Sequence, residues 1–185
     1  DKLEQTKLQA TKSFESCQKS HQPTTQNSTM NCLTNAVNLF AGDYAVFAAE
    51  EKLGKDYIRS RPDLSARIRT LISSCVQQRL SEVGELAKLA ESMSGLGLQC
   101  NAKIQSDIVP TVATDRIKEN FKEQGLDPSG FVAKILPDHI EKFRTELSKA
   151  SNEQEQNKAL ESFQAGVSTA ALNEIASKKT SEYFP

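Results

Sequence analysis

Four cysteines, Cys17, Cys32, Cys75 and Cys100, are the residues of this chain whose chemistry is easiest to read. No two stand in a C-x-x-C pair, and neither histidine, His21 or His139, lies near a cysteine pair at zinc-finger spacing. An even count without metal spacing reads as two disulfides and an oxidising compartment. The alternative is four buried thiols, since a free cysteine is a common core residue. Three connectivities are open. Sequential pairing, Cys17–Cys32 and Cys75–Cys100, is preferred, because Cys17 ends one helical pattern and Cys32 begins the next.

Other residues of the chain offer weaker chemistry. His139 sits between Asp138 and Glu141, but near neighbours point in different directions on a helix, so no metal site is read there. No His/Asp/Ser triad is implied, and Gly95-x-Gly97 follows no strand. Asp127-Pro128-Ser129-Gly130 lacks the alternating ligands of a calcium loop and reads as a helix cap. Glu50-Glu51 and Glu153/Glu155 read as solvated charge rather than an acid/base pair. The chain is accordingly read as non-enzymatic, with no catalytic residue, metal or cofactor.

Three candidate binding features remain. Lys55, Arg59, Arg61, Arg67 and Arg69 form a basic cluster that could hold a phosphate, a sulfated glycan or a lipid headgroup. The competing reading is a solvated face interleaved with Asp56 and Asp63. Phe40, Tyr44, Phe47, Leu71 and Phe121 could line a cavity for an apolar ligand, or simply pack as core. Asn27-Ser28-Thr29 is a glycosylation acceptor if the chain is secreted, and it falls in the polar, turn-like stretch 21–28.

The elements that position these residues are helices. Met30, Leu33, Val37, Phe40, Tyr44 and Phe47 recur at spacings of three and four, which places them on one stripe of a helix over Thr29–Leu53 stopped by Gly54. Leu64, Ile68, Leu71, Cys75, Leu80, Val83, Ala87 and Ala90 continue the pattern over 63–93. These two long helices are expected to lie antiparallel at the centre of an all-α bundle of roughly eight helices. Gly42 is a local weakness that could also admit a close neighbour.

A straight helix over 63–93 conflicts with the preferred pairing. Cys75 would lie about 27 Å from its end. The steps from Met93 to Cys100 span about 25 Å at full stretch. Sequential pairing therefore requires a break, expected near Gly84.

Before the long helices, Leu3, Ala10, Phe14 and Cys17 share a face of a first helix. After them, Ser94-Gly95-Leu96-Gly97 is expected to end the 63–93 helix, and a helix through Cys100, Ile104 and Ile108 should stop at Val109 before Pro110. Thr114 should cap a helix over Asp115–Gln124, stopped by Gly125. A short helix follows Asp127-Pro128 and closes at Pro137, which opens a helix burying Ile140, Phe143 and Leu147. Ser151 and Gln154 form a capping box for a last helix carrying Leu160, Phe163, Val167, Ala170 or Ala171, and Ile175. The tail 180–185 should fray, with Tyr183 and Phe184 available to dock. No strand signal competes.

Residues 1–185 read as one all-helical domain with both disulfides in its N-terminal half. A sub-boundary at 110–114 would separate a cysteine-containing part, 1–109, from a cysteine-free part, 115–185. The net charge of −1 gives no field to steer the chain to nucleic acid or anionic membrane, and no stretch approaches the length of a membrane span. The chain starts at Asp1, with no signal peptide visible, as expected of a mature chain whose leader has been removed.

The cysteines and the Asn27 sequon together resemble the small secreted, disulfide-stapled helical proteins of arthropod saliva and haemolymph. All of these features lie in residues 1–100. The resemblance implies a secreted glycoprotein that binds a host protein or cell-surface partner, with immune modulation as the outcome. The alternative it implies is carriage of a small lipid or other apolar ligand. Neither involves catalysis.

Overall fold

A computed structural model describes residues 2–20, 26–83 and 86–183 of the chain. Among these residues there are eight helices and no strand: α1 (Lys2–Ser20), α2 (Gln26–Leu53), α3 (Lys55–Ser60), α4 (Pro62–Val83), α5 (Leu86–Glu123), α6 (Ser129–Lys134), α7 (Leu136–Lys149) and α8 (Glu153–Tyr183). The chain divides into two compact units, Asp1–Ile104 and Gln105–Pro185, the division falling inside α5. All four cysteines belong to the first unit.

In the first unit α1 packs on α2, and α2 packs on both α3 and α4. Both bonds of the sequential pairing are present, Cys17–Cys32 and Cys75–Cys100, with Cα–Cα distances of 5.6 and 5.8 Å. Cys100 lies beyond the midpoint of the 185 residues, so the second bridge is not confined to the N-terminal half as expected. α4 runs to Val83 and α5 from Leu86, and the break expected near Gly84 itself lies outside the described residues. Lys103 Nζ donates to Gln78 Oε1 at 3.1 Å, close in sequence to each bridged cysteine.

The α2–α4 seam is made of smaller residues than the expected stripe. Among the described side chains of α2, Cys32, Gly42, Ala45, Ala49 and Leu53 are buried, while Tyr44 and Phe47 are only half-buried. On α4 the buried set is Leu64, Ile68, Ile72 and Cys75, and Ile72 takes the seam position expected of Leu71, which is half-buried. The physical reason is that side chains of α4 reach the α2 backbone: a Cβ on Gly42 would stand 3.1 Å from Arg69 Nη1 and 4.0 Å from Ile72 Cγ2. Small residues line the approach and the aromatics flank it. The side chains of Met30, Leu33, Val37, Phe40, Leu80, Val83, Ala87 and Ala90, and those of Leu3, Ala10 and Phe14, lie outside the described part.

Two expected helix ends are absent. Gly95 and Gly97 lie inside α5, as does Pro110, so the helices expected on either side of Pro110 are one. Glycine weakens a helix by about 1 kcal/mol, which is too little to stop one whose next turns bury Cys100, Ile104 and Ile108. Proline has no N–H to give the carbonyl one turn back, that of Ser106. Arg144 of α7 reaches that carbonyl, its Nε donating at 3.0 Å. Thr114, expected as a cap, instead donates its hydroxyl to the Pro110 carbonyl at 2.8 Å within the helix. The stretch 110–114 is therefore helical rather than a linker. The expected count of helices is matched by a different set: α3 is additional, and two expected helices merge into α5.

The second unit closes its helices by local chemistry. Gly125 adopts φ +69, Leu126 N–H donates to Phe121 C=O at 2.8 Å and Gly125 N–H to Lys122 C=O at 3.0 Å, the paired bonds of a Schellman ending. Asp127 Oδ1 accepts from the Ser129 amide at 3.0 Å and its hydroxyl at 2.7 Å, which starts α6 as expected. The cap of α8 is one residue later than expected: Asn152 Oδ1 accepts the Glu155 amide at 2.9 Å, and Glu155 Oε2 accepts the Ser151 amide at 2.7 Å. Glu155 takes the place expected of Gln154, its carboxylate accepting from Ser151 four residues back. The core contains Phe121 against Phe131 (5.4 Å) and Phe143 stacked on Phe163 (4.9 Å), with Leu136, Leu147, Leu160, Val167 and Ala171 buried. Ile140 and Ile175, expected in the core, are half-buried at its edge. The tail is helical through Tyr183, the Tyr183 side chain and Phe184 lying outside the described part.

Two substitutions test these endings. Gly125→Ala places a side chain in the left-handed region and is expected to lower stability by about 1 kcal/mol in urea unfolding. Arg144→Met removes the donor that serves the carbonyl beside Pro110 while keeping the stem, and is expected to cost about 1 kcal/mol in the same measurement.

Candidate functional site

The basic cluster lies on α3, α4 and the residue between them. The sequence places it there through Pro62 and Asp63, which start α4 immediately after Arg61. Three of its arginines, Arg59, Arg61 and Arg69, are engaged with carboxylates. Arg59 Nε meets Glu50 Oε1 at 3.4 Å, and Arg69 Nη1 meets Asp43 Oδ1 at 2.8 Å. Arg61 grips Asp63 with two parallel bonds, Nε to Oδ1 at 3.0 Å and Nη2 to Oδ2 at 2.9 Å. Its Nη1 also donates to the Tyr57 hydroxyl at 3.4 Å. Lys55 and Arg67 are exposed. The arrangement matches a neutralised, solvated face: an incoming anion must displace carboxylates already in place. Such exposed pairs contribute little to stability, typically under about 1 kcal/mol each.

Asp43 and Glu50 were missed as partners of this cluster. They stand seven residues apart on α2, which is two turns and hence one face, so the spacing itself was a usable signal. Which face met α3 and α4 was not readable from it. Arg144 was missed too. Its signal would have been Pro110 in a helix needing a donor from elsewhere, and only an unbroken α5 reveals that need.

The aromatic candidates do not share one surroundings. Tyr44, Phe47 and Leu71 are half-buried flanks in the first unit. Phe121 belongs to the second unit, fully buried, with Phe131 beside it and Lys178 Nζ 5.6 Å from its ring centroid. The side chain of Phe40 lies outside the described part. Lys178 also donates to the Asp127 carbonyl at 3.2 Å, joining α8 to the turn before α6.

His139 and its acidic neighbours diverge. Asp138 and Glu141 line an open depression on α7 with Lys142, Thr145, Glu146 and Lys149. His139 turns to α8, where its Nδ1 would stand 3.3 Å from a Cβ on Gly166. Among the described residues, no three His, Cys, Asp or Glu side chains gather as a metal ion would require. Asn27 lies in the first turn of α2 rather than in a loop, because that helix begins at Gln26, three residues before the expected start. Its side chain, and all of His21, lie outside the described part. No described helix is long and apolar enough to cross a membrane.

Two carboxyls are held below their ordinary value of 3.8: Asp63 chiefly by the Arg61 hydrogen bond, Asp127 chiefly by the Ser129 hydroxyl and then its amide. A depressed folded-state pKa gives stability that is present above the unfolded value and lost as pH falls through the folded one. Carboxyl titration by NMR is therefore expected to find both groups ionised below pH 3.8, and Arg61→Ala to return Asp63, but not Asp127, toward that value. Compared with protein-family models, curated proteins and solved structures, the chain has no match.

Proposed function

We propose that this is a secreted, non-enzymatic helical protein that acts by binding a macromolecular partner, either a protein or a cell-surface component. The arthropod resemblance adds host-directed immune modulation as the outcome, and makes Asn27 the site of a glycan. The observation that carries the reading is the pair of bridges, Cys17–Cys32 and Cys75–Cys100, each joining consecutive long helices. Disulfides persist in oxidising compartments, where a small chain benefits from staples that hold its helices in register. The absence of a membrane-length apolar helix among the described residues is compatible with the same location.

Rigid helical surfaces suit recognition because binding them orders few side chains and no backbone. The carrier reading has less support. Its proposed lining is shared between two compact units, and Phe121 is packed against Phe131. A sulfated glycan or lipid headgroup at the basic cluster would compete with Glu50, Asp43 and Asp63 for the arginines.

Two measurements test the proposal. Alkylation of the denatured chain without reductant is expected to label none of the four cysteines in material purified from its source, and labelling of all four would end the secreted reading. The immobilised oxidised chain is then expected to retain a partner saturably from plasma or cell-surface extract. The reduced and alkylated chain should retain none. Equal retention by both forms, or none by either, would remove the binding reading.

A further inference from the structure

The two bridges stand in unlike surroundings. Cys75 and Cys100 are 4% and 1% exposed, and Cys32 is 1% exposed. Cys17 alone of the four is partly exposed. It lies in the last turn of α1, a polar helix whose Gln5, Leu8, Lys12, Glu15 and Lys19 face solvent, Leu8 at 54%. The packing of α1 is on α2. A helix of this length and polarity is marginal in water without tertiary support. The bridge is thus the most accessible covalent link in the first unit, and it adds a covalent tie to the packing of α1 on α2.

We propose that Cys17–Cys32 is a reducible clasp, opened by a dithiol reductant while Cys75–Cys100 stays closed, and that its opening releases α1 from α2. A thiolate of the reductant attacks Cys17 Sγ along the exposed side. The Cys17–Cys32 bond breaks, a mixed disulfide forms at Cys17, and Cys32 leaves as a thiolate that takes a proton from water. The second thiolate of the reductant attacks its own sulfur in the mixed disulfide and Cys17 leaves in turn. The protein gains two electrons and two protons as two thiols, and the dithiol is oxidised to its disulfide. Attack at Cys75 or Cys100 requires the reductant to enter a closed helix contact. Loss of the short link also returns to α1 the chain freedom that the bridge had removed. The consequence is a face of α2 that is covered in the oxidised chain and bare in the reduced one. A disulfide-exchanging protein at a cell surface could therefore change what this chain binds.

The test uses the native oxidised chain in a graded series of dithiothreitol, quenched with N-ethylmaleimide and mapped by peptide mass. Cys17 and Cys32 are expected to be labelled at least about tenfold faster than Cys75 and Cys100. Tryptic cleavage after Lys7, Lys12 and Lys19 is expected to rise in step with that labelling, before any loss of helix attributable to the remainder. Simultaneous opening of the two bridges, or earlier opening of Cys75–Cys100, would overturn the clasp. So would an α1 that stays protected once Cys17 and Cys32 are fully labelled. The double variant Cys17→Ser, Cys32→Ser is expected to show the same α1 cleavage without reductant. Should it fail to fold, the labelling order and cleavage of the native chain still decide the matter.

Discussion

The Cys75–Cys100 bridge is the constraint around which the first unit is arranged. Holding two Cα atoms 5.8 Å apart across 25 residues of helical sequence forbids a straight run between them. The chain must therefore reverse direction between the two bridged cysteines. The Cys17–Cys32 bridge ties α1 to α2 in the same way over a shorter interval. The packing of α2 on α4 carries no sulfur bridge. There Gly42, Ala45, Ala49 and Leu53 meet Leu64, Ile68 and Ile72 in a seam narrow enough for Arg69 to cross Gly42 and reach Asp43. In this unit α1–α2 is both bridged and packed, while α2–α4 is packed without a bridge.

The second unit contains no cysteine and relies on aromatic burial instead. Phe121, Phe131 and Phe143 are almost entirely buried and Phe163 nearly so, and burying each such ring contributes about 1.5–3 kcal/mol. Its turns are short and each is closed by a side chain or a glycine: Gly125, Asp127, Asn152 and Glu155. Arg144 and Lys178 add charged donors to backbone carbonyls, at Ser106 and Asp127 respectively. Hydrogen bonds from a charged donor are stronger than neutral ones, which suits the one carbonyl that Pro110 leaves without its helical donor.

For function, the same geometry turns apparent binding chemistry into scaffold. A row of arginines in the sequence becomes a set of ion pairs when Glu50, Asp43 and Asp63 are brought to it. A histidine between two acids becomes a packing contact when α8 presents Gly166 to it. What persists from sequence to structure is the sulfur chemistry, and both the proposed extracellular binding role and the proposed reducible clasp are argued from it.

The sequence by itself determined the all-helical class and the stops at Gly54 and Gly125, and it favoured the sequential pairing of the cysteines over two open alternatives. Each of these depends on local spacing, on chain length between two points, or on a glycine's freedom at positive φ, all of which are written in nearby residues. Tertiary structure alone decided that Pro110 and Gly95 lie within one helix, that Ala45 and Ile72 rather than Tyr44 and Leu71 form the seam, and that the arginines are neutralised. Those outcomes depend on which surface arrives opposite: Arg144 for the Ser106 carbonyl, Arg69 and Ile72 for Gly42, Asp43 and Glu50 for the cations. A residue's own neighbours in sequence carry no record of that arrival.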